Sequence, residues 1–228
     1  MDIYQEIDDL VSRAEKAVPQ DTRKQKLKLY AEGLKAKLRQ SEYALRSLAN
    51  YNDQMDQLSS STAKDDFLVS ERVQFYCDAY WTFLYSALDV LAQVINQAMR
   101  LSLAEKDASF KNVENALATR SAGKPFQTCC TACRKSRAFK NLLAYRNCSI
   151  HRRQIYIKEE AKVVRHTAGY ESTTTGPTFS VERTICDDPM QLTPSISQAR
   201  RVPQYLATTR GKMIKAMIDI IRSVEPVK

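Results

Sequence analysis

Three residues in one short stretch, Arg146, Asn147 and His151, have side chains that could move protons and stabilise charge together. An imidazole with an ordinary pKa of about 6.5 exchanges a proton near neutral pH, and a fixed guanidinium stabilises extra negative charge on phosphorus. No carboxylate cluster that would hold a metal stands beside them in the sequence. The set suits metal-free cleavage of RNA. On a helical wheel with Arg146 at the origin, Phe139, Leu142, Leu143 and Ile150 all fall within about 60°, which centres Arg146 in an apolar stripe. An arginine buried without a partner is strongly destabilising, so that position asks for a reason. Asn147 and His151, four residues apart, share the edge of the same face, where the amide could orient the imidazole. A purely structural arrangement answers the pattern too: Arg146 paired inside the fold with Asp78 or Asp89 of an earlier helix, and His151 as a satisfied neighbour.

The elements that must position these residues read as helices. Five glycines in 228 residues are too few for the turns of an all-β sandwich or the phosphate loop of a doubly wound sheet. Helical spacing runs over residues 2–18 and 23–50, interrupted at Pro19. A very long helix is expected from Asp65 to about Leu103, apolar nearly all round from Phe75 to Ile95. Its polar residues Asp78, Thr82, Ser86, Asp89, Gln93 and Asn96 recur every three or four positions, a seam within about 80°. Two carboxylates in that seam argue against a membrane span. Shorter helices are expected over 108–119 and 128–153, two strands forming a hairpin within 162–186, and a final helix over 197–224. The expected fold is mainly α: a helical bundle around a long central helix, with a β-hairpin insertion and extra N-terminal helices. Residues 1–62 would form an N-terminal helical hairpin packed on the bundle, and 63–228 the bundle domain.

Charge is concentrated. The formal net charge is +9, and residues 134–166 contain ten Lys or Arg against Glu159 and Glu160 alone. Such a run is the footprint of a docked polyanion, with a solvated helix face as the plain alternative. Arg137, Lys140, Arg152 and Arg153 are the candidate RNA-binding residues. The acidic start, Met1-Asp-Ile-Tyr-Gln-Glu, is unlike a signal peptide, so a cytoplasmic setting is expected and the six cysteines read as thiols. Cys130-Thr-Ala-Cys133 with Cys148-Ser-Ile-His151 has the outline of a structural zinc site, and Cys129 is a spare thiol. No glycine-rich knuckle accompanies it, and small buried apolar side chains account for the same cysteines, so no metal or other cofactor is assigned.

Tyr145-Arg146-Asn147-Cys148-Ser149-Ile150-His151 resembles the R-N-x-x-x-H form of the R-x(4 to 6)-H motif of the HEPN superfamily. The segment Phe83-Leu-Tyr-Ser-Ala-Leu-Asp-Val-Leu-Ala92 resembles the long helix that precedes the motif in those domains. The resemblance covers about residues 67–224 and leaves the first two helices aside. It implies a helical-bundle endoribonuclease that works without a metal. Attack of the ribose 2′-hydroxyl would leave a 2′,3′-cyclic phosphate and a 5′-hydroxyl. It also implies a homodimer with a composite active site. Many members are toxins, antiviral defence factors or RNA-processing enzymes, and an antitoxin or regulatory protein is then a possible partner. Arg146 and His151 take the family's catalytic positions and Asn147 its polar supporting position; Asp89 as an orienting carboxylate rests on the polar seam. Some members of the superfamily are non-catalytic, which leaves a helical module that binds RNA or a protein as the alternative.

Overall fold

A computed structural model describes residues 2–17, 21–55, 63–118, 124–151, 157–164, 178–185 and 200–226, with backbone alone at 51–55, 63–70, 150–151, 158–164, 178–184 and 200. The fold is helical: α1 (Ile3–Ala17), α2 (Asp21–Met55), α3 (Ala63–Ala98), α4 (Phe110–Ala118), α5 (Lys124–Lys135), α6 (Arg137–His151) and α7 (Val202–Arg222). A small antiparallel sheet lies between α6 and α7 in the chain. Its strands β1 (Lys158–Val164) and β2 (Thr178–Ile185) pair from Lys158 with Thr184 to Val164 with Thr178. The two-residue β3 (Arg200–Arg201) pairs with the end of β2 and leads directly into α7. Among the described residues no helix is long and apolar enough to cross a membrane.

The chain forms two compact units, and their division does not follow the boundary expected at residue 62. One comprises residues 1–41, 82–143 and 209–228; the other comprises 42–81 and 144–208. The division falls within α2, α3, α6 and α7.

In the first unit α1 buries Ile3, Ile7, Leu10 and Ala14, a stripe at helical spacing. Arg13 of α1 donates to the carbonyls of Val224, just past α7, and of Ile221, in its last turn, at 3.2 and 3.4 Å. Arg222 returns two donors, Nε and Nη2, to the single Glu6 oxygen Oε1. Leu27, Ala31, Leu34 and Leu38 form the matching stripe of α2. From Thr82 onward α3 is buried on most of its circumference, with Leu84, Leu88, Leu91, Val94 and Ile95 fully enclosed. It stops at Ala98, five residues short of the expected end. The cause is Asn96, whose side chain accepts from Leu103 N–H at 3.2 Å and donates to Leu103 C=O at 3.0 Å. The backbone between turns through positive φ at Arg100 and Ser102.

The single helix expected over 128–153 is two helices. Ser136 ends α5 with its backbone N–H on the carbonyls of Ala132 and Cys133, and its hydroxyl accepts from Phe139 N–H at 3.2 Å as the N-cap of α6. Across from α5, the buried Glu114 of α4 accepts from Thr131 at 3.2 Å and from Arg134 at 2.5 Å.

The core of the second unit is aromatic. Trp81 and Tyr145 stack at 4.5 Å between centroids and 7° between planes, with Tyr205 of α7 edging both rings. The Tyr80 hydroxyl donates to the Leu206 carbonyl at 2.7 Å. α3, α6 and α7 are thereby tied at one level of this unit.

Candidate active site

The face that α6 buries is set by Ala138, Leu142, Tyr145 and Cys148, at steps of four, three and three. That face centres near Tyr145, about 100° round the helix from Arg146. Arg146 and Asn147 are accordingly half-buried, on the flank of the packed face and not at its middle. The expectation that Arg146 sits in the centre of an apolar stripe is corrected on this point. Phe139 and Leu143 count as core by hydropathy but are half-buried, whereas Tyr145 and Cys148 are enclosed. The cause is the Trp81–Tyr145 stack, which fixes the rotation of α6 through a residue with a polar tip.

This rotation places Arg146 Nη1 at 3.1 Å from Asn147 Oδ1, to which it donates. Asn147 thus holds the guanidinium, where the sequence pattern suggests that it would orient the imidazole. His151 is the last residue of α6. Its side chain lies outside the described residues, as do Arg152 and Arg153 altogether. Arg137 and Lys140 are exposed on the first turns of α6, in the first unit.

The carboxylate that meets the motif in the second unit is Asp78. Gln74 Nε2 donates to Asp78 Oδ1 at 3.2 Å, and Ser149, which lies between Arg146 and His151 in sequence, hydrogen-bonds the same carboxyl group. Burial raises the pKa of Asp78, against the lowering effect of those two hydrogen bonds. Asp89, the expected orienting carboxylate, belongs to the first unit. It lies eleven residues further along α3, about 16 Å along the helix axis from Asp78. Both carboxylates do share the polar seam, and the seam is half-buried from Asp78 to Gln93. The helical phase that exposes the seam was the available signal for Asp78. Its height on the helix was not.

Among the described residues no group of three or more His, Cys, Asp or Glu is placed to hold a metal ion. Cys130 and Cys133 are buried, and burial with the nearby Glu114 carboxylate pushes both thiols up, Cys133 to about 12. Cys148, the third sulfur of the zinc outline, is buried in the second unit.

No curated protein and no solved structure matches the chain. One family model does, described as Cthe2314-like HEPN, and it spans residues 30–184. The range differs from the 67–224 expected from the resemblance: it takes in most of α2 and leaves α7 beyond its end. It also runs through β1 and reaches β2, so the match does not support the hairpin as an insertion into the family's domain. With more than half of its residues inside this one family model, and the Arg146-Asn147-x-x-x-His151 segment within the matched range, the chain belongs to the Cthe2314-like family of the HEPN superfamily.

Proposed function

We propose that the protein is a metal-independent endoribonuclease whose chemistry is carried by Arg146 and His151. HEPN membership supports an RNA-related, nuclease-type function in general terms. The observation that carries the finer reading is the guanidinium of Arg146, half-buried and held by Asn147, on the same helix end as His151. In this reading His151 takes the proton of a ribose 2′-hydroxyl as the 2′-oxygen bonds to the adjacent phosphorus. Arg146 stabilises the added negative charge on the phosphoryl oxygens. The phosphorus–O5′ bond then breaks, and the leaving oxygen takes a proton from a second imidazolium, the copy of His151 that a homodimer supplies. The products are a 2′,3′-cyclic phosphate and a 5′-hydroxyl.

A two-fold axis doubles a thin catalytic set without further residues. An interface built on the stripe residues Leu142, Leu143 and Ile150 could not use Leu142, which is fully buried within the chain, and half-buried Leu143 is then its described member. A toxin, antiviral or RNA-processing role belongs to the same reading, with an antitoxin or regulatory protein as a further partner.

The test is cleavage of single-stranded RNA in EDTA, with end-group analysis of the fragments. Wild type should cut and leave cyclic phosphates. Arg146→Ala and His151→Ala should lose cutting by at least about a hundredfold while remaining folded, and sedimentation should show a dimer. Cutting that requires a divalent metal, or full activity in His151→Ala, would overturn this mechanism, and no cutting by pure, folded wild type would replace the reading with the non-catalytic binding module.

A further inference from the structure

In the first compact unit, α5, the first turn of α6 and α7 enclose an open groove of about 770 Å³. Its more enclosed lining is made of short side chains, Ala138, Ala216 and half-buried Cys129, and no aromatic ring is among its described lining residues. Its exposed lining carries Arg137, Lys212 and Lys215 against one carboxylate, Asp219. Arg222 also reaches the groove, but its guanidinium is taken by Glu6. The groove is apolar where it is enclosed and net positive where it is exposed.

We infer that this groove docks an acidic amphipathic helix of a partner protein. Alanine-floored grooves let a neighbouring helix approach to about 8–10 Å between axes and leave room for larger apolar side chains from the incoming helix. The lining stretch of α7 from Lys212 to Arg222 is about 15 Å long, or nearly three helical turns, enough for an i, i+3, i+4, i+7 set of anchors. Carboxylates beside such an apolar stripe would lie against Lys212 and Lys215. That pairing fixes the register and excludes basic partners. RNA fits the rim but not the floor, since a single strand gains much of its affinity by stacking bases on rings and the described lining offers none. The groove lies in one unit and contains neither Arg146 nor His151, so this inference stands apart from the ribonuclease reading.

The probe is a fluorescent peptide of about four helical turns, with leucines on one stripe and glutamates on the opposite face. Controls are a peptide of the same composition with the stripe scrambled, a version with lysine for glutamate, and oligo(U) RNA. Anisotropy titration of the full chain should show the striped acidic peptide binding at least about tenfold tighter than either control peptide. The exposed pair Lys212→Glu with Lys215→Glu should weaken it by at least about tenfold, and Ala216→Trp, which fills the floor, should do the same. Cys77, Cys130, Cys133 and Cys148 are buried, so with the sixth cysteine replaced (Cys186→Ser) alkylation reports on Cys129; the peptide should slow it, and the rate should recover in the two groove variants, each checked for unchanged helicity. Equal affinity for striped and scrambled peptides would overturn the proposal. So would binding unchanged in both variants, or oligo(U) displacing the peptide and depending on Ala216 in the same way.

Discussion

A carboxylate packed between two helices is disfavoured as an anion, and Asp78 occupies that position with Gln74 and Ser149 as its hydrogen-bond donors. Between the ordinary aspartate pKa of about 4 and the raised value, the folded chain keeps a proton that the unfolded chain has released. Stability linked to Asp78 is therefore full below that window and falls as pH rises through it. Asp78→Asn keeps an acceptor for both donors and removes the charge. Its melting temperature relative to wild type should rise between pH 4 and pH 8, as followed by circular dichroism. Asp78→Ala leaves two donors without their acceptor and should melt lower than wild type at both pH values, by an amount corresponding to about 1–3 kcal/mol. A wild type and Asp78→Asn pair whose difference does not change with pH would remove the ionisation argument. The seam that contains Asp78 is legible in the sequence because polar residues recur every three or four positions in an apolar helix. Which of its carboxylates meets Ser149 of α6 is not legible. Asp78 and Asp89 differ by about 20° in phase but by about 16 Å in height, and phase is the only quantity that a wheel reports.

At the scale of elements, one stacked pair sets the rotation of α6. Tyr145 and Trp81 are both fully buried, and Tyr145 immediately precedes Arg146, so the ring that packs and the cation that flanks it are inseparable. Tyr145→Ala should cost about 3–5 kcal/mol in urea unfolding, as truncation of a buried aromatic does. Trp81 is the chain's one tryptophan, so its emission should shift to the red in the same variant. Emission unchanged from wild type would mean that α6 is held by something other than this stack. The wheel drawn from hydropathy alone misses the rotation because tyrosine and cysteine score below leucine, while stacking geometry and not hydropathy decides which ring is enclosed. The break at Ser136 is missed for a related reason. Helical periodicity continues across it, and only the cap contact from Ser136 to Phe139 marks where one helix ends and the next begins. The ends of α1, the C-terminal end of α7 and the body of α3 follow periodicity closely because each presents a long stripe to a neighbour, whereas α7 starts at Val202 and not at 197, because Arg200 and Arg201 pair with β2 as β3.

For the molecule as a whole, the concentration of charge over residues 134–166 has to be divided between cations that serve the fold and cations that are available to a polyanion. Arg134 belongs to the fold: it pairs with Glu114, whose carboxylate is buried and has Thr131 as its other donor. Removing it takes one of two donors from a buried carboxylate, so Arg134→Gln should lower stability by about 1–3 kcal/mol and leave RNA affinity close to wild type once folded protein is selected. Arg152 and Arg153 follow the motif directly in sequence and are the residues proposed to meet phosphates. Reversing both to Glu should weaken binding to all RNA sequences alike. The slope of log affinity against log salt should flatten by about 0.7 for each single-strand phosphate that the variant no longer neutralises, because fewer counterions are released. His151→Ala should leave that slope and the affinity nearly intact while abolishing cleavage, since a proton-transfer group acts on the transition state more than on ground-state binding. Filter binding at several salt concentrations, run beside the cleavage assay, separates the two effects in one set of proteins. If the Arg152 and Arg153 reversal leaves the salt slope unchanged, those charges are a solvated surface. The polyanion would then have to meet the cations elsewhere, with exposed Lys26 of α2 the first to reverse, since its neighbour Lys28 is paired with Glu15.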